Sequence, residues 1–202
     1  MILNLSDIQA LEQRYRTAFV NSLAGFRQAV LVGTCSTGGA TNLAIFNSLI
    51  HLGAAPALFG LISRPDTVPR DTLRNIRETG TYTLNYVPAA LAARAHQTSA
   101  RYSPKQSEFS EAGFTEQYHE GCAAPFVAEA VVQVALQLEQ IIDIPLNGTV
   151  LIIGGVRQVR VPDALVGADG FVDLAAADVL MSCGLDAYFT AKPLARFPYA
   201  LP

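Results

Sequence analysis

The sequence predicts a mainly β fold with helices (α+β), in which about six mostly antiparallel strands form a small barrel. Three observations predict this class. One long segment alternates apolar and polar residues, an Asn-Gly turn follows it, and several short apolar runs are bounded by glycine, proline and small polar residues. With 202 residues the chain is long enough for a full core. We therefore expect a single domain over residues 1–202.

The first predicted element is an N-terminal helix over residues 6–24. Ser6 is a candidate N-cap, and Gln9 stands three residues later, where a side chain can reach back to the cap. Gly25 is a plausible end, because glycine readily adopts the left-handed backbone that closes helices.

Three short apolar runs follow and predict strands. They are QAVLVGT (28–34), TNLAIFNS (41–48) and APALFGLIS (55–63), and the segment Cys35–Thr41 joins the first two. A short helix is predicted over Asp71–Thr79, closed by Gly80. TYTLNYV (81–87) then alternates with period two, as a half-buried strand does.

The clearest strand signal is AVVQVALQLEQIIDI (130–144), in which apolar and polar positions alternate. Asn147-Gly148 predicts a hairpin turn, and TVLIIGGVRQVRV (149–161) returns along the sheet. Gly154-Gly155 inside this strand indicates a bulge or a sharp bend. The barrel thus spans about 27–161, and residues 162–202 form a C-terminal extension.

Composition excludes several classes of function. The net charge is -3 and no Lys/Arg cluster occurs, which argues against nucleic-acid binding. No apolar stretch is long enough to span a membrane. Three widely separated cysteines and three isolated histidines indicate neither disulfides nor a metal site, and favour a reducing, cytoplasmic location. Only 15% of residues are charged, against about 25% in typical chains, which hints at a surface covered by a partner subunit.

The segment GTCSTGGATNLAIFNSLIHLG (33–53) carries the densest set of small polar residues. It is not a P-loop, because Gly39 and Ala40 stand where Lys and Ser/Thr are required and a strand follows. A nucleophile at Cys35 or Ser36, activated by a histidine, is one alternative. Another is a plain hairpin turn beside a capped surface helix.

A cofactor cradle is the remaining interpretation. Small side chains at Thr34, Cys35 and Ser36 would leave backbone N–H groups open to a flat ligand such as a flavin ring. An apolar floor is available from Leu43, Ala44 and Phe46. Side chains suited to a phosphate are available at Asn47, Ser48, Arg64, Arg70 and Thr72.

The order and spacing of GT-x7-NLAIFNS, RP-x4-RDTLRNI, YTLNYV, PFVAEA and IGGV resemble the flavin reductase-like family of FMN-binding split barrels, from about Gly25 to Val161. The resemblance implies a six-stranded antiparallel split β-barrel of Greek-key topology. It also implies bound FMN, NADH or NADPH as the nicotinamide nucleotide that donates hydride, and a homodimer. The implied activity is an NAD(P)H:flavin reductase with no catalytic side chain of its own. The alternative is a non-catalytic FMN protein for electron transfer or flavin storage.

The resemblance also assigns site residues. It places the isoalloxazine against Thr34, Cys35, Ser36, Asn42, Leu43 and Ala44. The family's NxAPFS and KDT patterns correspond here to Asn42–Asn47 and to Arg70-Asp71-Thr72, so Asn47, Ser48, Arg70 and Thr72 are expected near the phosphate. Ser99 and Tyr102 fall in the loop that covers the flavin or the hydride donor in the family.

Overall fold

The computed structural model describes residues 1–65, 70–103 and 106–201. In chain order the elements are α1 (Leu5–Ala10), α2 (Gln13–Leu23), β1 (Arg27–Gln28), β2 (Val30–Cys35), β3 (Thr41–Phe46), β4 (Leu49–Ala54), β5 (Ala57–Ser63), α3 (Asp71–Thr79), β6 (Thr81–Tyr86), α4 (Ala92–Gln97), α5 (Glu108–Glu111), β7 (Glu116–His119), β8 (Cys122–Val127), β9 (Val132–Ile144), β10 (Thr149–Arg160), β11 (Met181–Cys183) and β12 (Ala187–Phe189).

The main sheet has seven antiparallel strands in the order β3-β2-β6-β9-β10-β5-β4. Its two edge strands, β3 and β4, are separated in sequence by Asn47 and Ser48 alone. Phe46 and Leu49 are therefore at most about 11 Å apart, because consecutive Cα atoms lie 3.8 Å apart. The sheet must therefore coil so that the end of β3 comes close to the start of β4, which fits the mainly β split-barrel class.

The expected count of six strands was one too low for this sheet, because β4 was missed. β4 pairs with β5 from Leu49↔Leu61 to Ala54↔Ala57, and its register shifts between His51 and Gly53. A bulge of this kind breaks the period-two alternation by which a strand is recognised. The predicted irregularity in β10 is confirmed, since its register with β9 shifts between Ile153 and Gly154.

Two apolar clusters pack on the sheet, and one of them positions α3. One contains Val30, Val32, Tyr82 and Leu84, and α3 adds Leu73 and Ile76 to it. The other contains Leu31, Leu43, Phe109 and Phe114, with residues from α5 and the segments around it. α3 also buries Thr72 and Asn75, and it ends at Gly80, which has φ 72° as predicted.

The N-terminal segment forms two helices, in place of the single helix expected over 6–24. Leu11 has an extended backbone that breaks the helix. The Glu12 carboxylate then accepts hydrogen bonds from the N–H groups of Arg14 and Tyr15, which begins α2 anew. Asn4 and Asp7 cap α1, where Ser6 and Gln9 were expected. Neither helix contains a buried residue.

The C-terminal extension forms a small sheet with the start of the barrel. β11 pairs with β1 and with β12 in a three-stranded antiparallel sheet. Residues 190–201 then continue without helix or strand, and each of them is exposed. Within the described ranges, no helix combines the length and the apolar character needed to cross a membrane.

Candidate functional site

The turn between β2 and β3 is closed by its own hydrogen bonds. The Ser36 N–H donates to Ala40 O (2.9 Å) and the Gly39 N–H donates to Ser36 O (3.0 Å). The Ala40 N–H donates to Ser36 Oγ (3.0 Å). Three N–H groups of the expected cradle are therefore satisfied within the turn, so a ligand here would meet the β2–β3 edge and its side chains.

A buried polar network lies where β2, β3 and α3 meet. Thr34 Oγ1 accepts hydrogen bonds from Asn42 Nδ2 (3.4 Å) and Asn75 Nδ2 (3.1 Å), and Asn42 Nδ2 also donates to Thr72 Oγ1 (3.0 Å). Thr34 and Asn42 stand directly opposite each other in the ladder. The structure thus brings together three residues predicted from the sequence, Thr34, Asn42 and Thr72.

Asn75 is a member of this network that the sequence prediction missed. It follows Thr72 by three residues on α3, a spacing that places both side chains on the same face of a helix. That spacing was the available signal. Asn75 Oδ1 is buried and has no hydrogen-bond partner in the part of the chain that the structure describes.

A polar cavity of about 50 Å³ adjoins the network. Its lining includes Ser36, Asn42, Asp71, Arg74 and Glu108. Arg74 Nη2 forms an ion pair with Asp71 Oδ1 (2.5 Å), and Glu108 Oε2 accepts a hydrogen bond from the Leu43 N–H (3.1 Å). Burial raises the pKa of Glu108, the Leu43 N–H opposes this effect, and the Asp71 carboxylate adds to the rise. Glu108 lies on α5, far along the chain from the β2–β3 hairpin, and the sequence prediction did not assign it to the site.

Cys35 is the last residue of β2. Its Sγ donates to Ser36 O (3.4 Å). Burial raises the pKa of Cys35, and the nearby Glu116 carboxylate raises it further. Glu116 itself accepts hydrogen bonds from Thr41 Oγ1 (2.6 Å) and from the Tyr118 hydroxyl (2.7 Å). A thiol in acidic surroundings is a poor nucleophile at neutral pH.

The three histidines are held elsewhere. His96 Nδ1 is hydrogen-bonded to the Tyr188 hydroxyl (2.9 Å) and His119 Nε2 to Gln133 Oε1 (3.1 Å). His51 packs edge-on against Phe59. These contacts, together with the raised pKa of Cys35, argue against a histidine-activated nucleophile in the turn.

The apolar floor expected from Leu43, Ala44 and Phe46 does not form one surface. Successive side chains of a strand point to opposite faces of the sheet. Leu43 is accordingly fully buried in the cluster beside α5, whereas Phe46 packs against the other cluster. Leu43 could meet a ligand in the site through its backbone but not through its side chain.

The residues expected near a phosphate have different surroundings. Ser48 Oγ donates to Ile62 O (2.9 Å) and accepts from the Ile62 N–H (3.2 Å), which ties β4 to β5. Asn47 Nδ2 donates to Gly184 O (2.8 Å) in the turn between β11 and β12. Arg64 is exposed just after β5. Arg70 directly precedes α3, and its buried Nε lacks a hydrogen-bond partner among the described residues.

Ser99 and Tyr102 make their hydrogen bonds to the end of α4. Ser99 Oγ donates to His96 O (2.7 Å), and the Tyr102 hydroxyl accepts from Gln97 Nε2 (2.8 Å). Both residues are thus anchored to α4, and their expected contact with a bound flavin stays a prediction.

Comparison with known proteins gives a consistent result. The family model described as flavin reductase like domain matches residues 23–175. An uncharacterized protein of Halalkalibacterium halodurans is 31% identical over 153 residues, which cover 73% of each chain.

Two solved structures extend the comparison. A proposed flavin reductase with a split barrel domain from Shewanella frigidimarina shares 46% identity, covers 99% of this chain and 100% of its own, and superposes with a TM-score of 0.95. Nitrilotriacetate monooxygenase component B from Bacillus cereus has the same fold, with a TM-score of 0.85, 20% identity and 98% coverage of each chain.

Proposed function

The chain belongs to the flavin reductase-like domain family, and from this we propose that it is an FMN-dependent oxidoreductase acting as an NAD(P)H:flavin reductase. When bound, FMN would supply the hydride and electron chemistry, while the protein binds and orients the reactants. The electron acceptor would be a free flavin or another small oxidant.

The observation that supports this proposal best is the buried Nε of Arg70, which has no hydrogen-bond partner among the described residues and directly precedes α3, the helix that contributes Thr72 and Asn75 to the buried network. A buried donor without an acceptor costs about 1–3 kcal/mol, and an anion at this position would remove that cost. Arg70 immediately precedes the nine residues of α3, whose first N–H groups also favour negative charge. The residues present therefore fit a phosphate-bearing ligand, with Arg70 and Thr72 as its candidate holders.

The rest of the proposed site consists of the β2–β3 edge. Thr34 is held by two amide groups and is fixed in orientation. Cys35 offers a neutral thiol, so it adds no charge beside the isoalloxazine. Ser36, Asn42, Leu43 and Ala44 complete the proposed contacts to the ring. We assign no proton transfer to a side chain, and we propose no catalytic residue.

We further propose a homodimer in a reducing, cytoplasmic compartment. Many large apolar side chains are exposed at both ends of the chain, including Leu5, Leu23, Phe197 and Tyr199. Cys35, Cys122 and Cys183 are all free thiols.

The test is a flavin titration followed by anaerobic reduction. Purified protein is mixed with FMN, freed of unbound flavin, and examined by visible spectroscopy; NADH or NADPH is then added without oxygen. We expect retained yellow colour that bleaches faster than free FMN with the same nucleotide. Retained colour without bleaching would overturn the reductase activity in favour of the electron-transfer or storage alternative. A colourless protein would overturn both.

A further inference from the structure

The chain exposes more surface than a compact monomer of its size. Its accessible area is 12000 Å² for a mass of 21.6 kDa. A compact monomer of this mass exposes about 9200 Å², so the surplus is about 2800 Å². Obligate homodimers bury roughly 2,000–5,000 Å² over both partners. The surplus on each chain is therefore large enough for an extensive interface.

Part of the surplus lies on the N-terminal helices. α2 has 11 residues and none is buried, although helices shorter than about 12–15 residues are marginal in water without packing partners. Tyr15 is 52% exposed and Leu23 is 69% exposed. Two hydrogen bonds join α2 to the small sheet, from Cys183 Sγ to Ser22 O (3.6 Å) and from Arg27 Nη2 to Asn21 O (3.5 Å), and both lie near the C-terminal end of the helix. The exposed apolar side chains of α2 are therefore typical of a surface that is buried in an interface with another molecule.

The other part lies on residues 190–201, which we name the C-terminal arm. Phe197, Tyr199 and Leu201 are each more than 80% exposed. They occupy alternate positions of a segment without helix, so an extended backbone would present all three on one face. The arm is anchored on its own chain at Arg196. The Arg196 guanidinium pairs with Asp169 (2.5 Å) and lies 4.0 Å from the centre of the Phe171 ring.

We propose that the C-terminal arm of each chain packs across α2 of a second copy of this chain, so that the homodimer is held by exchanged arms. Each chain carries both an uncovered apolar arm and an uncovered helix. In a two-fold dimer the contact between the C-terminal arm of one chain and α2 of the other occurs twice, so both arms and both helices are covered. This inference rests on the proposed homodimer and specifies how it is assembled.

The first test is sedimentation equilibrium on four proteins: the full chain, a chain ending at Phe189, the double variant Phe197→Asp/Tyr199→Asp, and Leu146→Asp. Leu146 is a matched control, because it is 97% exposed at the turn between β9 and β10, away from both patches. We expect the truncated and double-variant chains to dissociate at least about tenfold more readily, since each loses apolar contact area. Leu146→Asp should sediment as the full chain does. Far-UV circular dichroism of the truncated chain checks that it folds.

The second test asks which chain receives the arm. Val20→Cys and Tyr199→Cys are made in separate, differently tagged chains whose native cysteines are replaced by serine, and the two are mixed and oxidised. We expect a disulfide that joins the two tags. A disulfide formed within one chain carrying both substitutions, at high dilution, would overturn the exchange.

The outcomes separate the two proposals. A dimer of unchanged affinity after removal of the arm would overturn the exchange while leaving the homodimer in place. A monomeric full-length chain would overturn both. Flavin binding by the full-length chain tests the proposed activity independently of either result.

Discussion

The hydroxyl of Tyr82 lies so close to Gly154 that a Cβ at residue 154 would be 2.1 Å from the phenolic oxygen. Tyr82 is fully buried, and its hydroxyl has no hydrogen-bond partner in the described part of the chain. Burial accordingly raises the pKa of Tyr82. Gly154 also marks the register shift between β10 and β9. The irregularity in β10 therefore coincides with the place where the core requires a residue without a side chain.

Gly154→Ala should destabilise the protein by about 1–3 kcal/mol, because the added methyl group would overlap the Tyr82 hydroxyl and press on Leu136. Urea unfolding followed by circular dichroism measures the change. Gly155→Ala is the matched control: its Cβ would meet the flexible end of Glu139, which can move aside. Adding Tyr82→Phe should recover part of the loss at residue 154. Equal costs for the two alanine variants would contradict this account.

Much of the barrel follows from local patterns. Period-two alternation marked β6 and β9, Asn147-Gly148 marked the hairpin turn after which β10 returns, and the glycine after Thr79 marked the end of α3. β4 and the second N-terminal helix were missed for different physical reasons. A bulge interrupts the alternation of β4, and Glu12 supplies a second N-cap within what looked like one continuous helix.

The candidate site was partly predictable because some of its residues are neighbours in sequence. Thr34 and Asn42 flank one hairpin, and Thr72 and Asn75 share one helix face. Glu108 and Glu116 come from segments more than sixty residues beyond the hairpin that they contact, and only the folded chain shows their effect on Leu43 and Cys35. The predicted apolar floor was wrong because it combined Leu43 and Phe46, whose side chains lie on opposite faces of β3. The apolar character of a residue does not tell which face of a strand it occupies.

Thr34→Val should cost about 1–3 kcal/mol of stability, since it leaves the amide groups of Asn42 and Asn75 without their shared acceptor in a buried place. Thr34→Ser keeps the hydroxyl and is the control. Thermal unfolding of both variants, at matched pH and salt, measures the difference. A valine variant as stable as the parent would contradict the role of the hydroxyl, and a serine variant as unstable as the valine variant would show that packing of the Thr34 methyl group contributes as much as the hydroxyl.

Cys35 should react slowly with iodoacetamide at pH 8, because its raised pKa keeps the thiolate fraction low. Glu116→Gln removes the negative charge that contributes to this rise, so the pKa should fall and alkylation at pH 8 should accelerate. The rate of Cys35 modification, followed by peptide mass spectrometry from pH 7 to 10, gives the pKa directly. An unchanged profile in Glu116→Gln would mean that burial alone sets the pKa. Cys122, whose pKa is raised by its own burial, is an internal reference.

Arg70→Ala should weaken FMN binding by about 1–3 kcal/mol, which corresponds to roughly 5- to 150-fold in Kd, if the guanidinium pairs with the phosphate. Riboflavin has the same ring without the phosphate, so we expect it to bind more weakly than FMN. Its Kd should be the same for the variant and the parent. Arg64→Ala is the matched control, because Arg64 is an exposed arginine at the end of β5. Fluorescence quenching of each flavin on titration with the parent and with each of the two variants measures the dissociation constants. A larger loss in Arg64→Ala than in Arg70→Ala would move the phosphate to Arg64. A loss for riboflavin equal to that for FMN would mean that Arg70 acts through the shape of the site and not through charge.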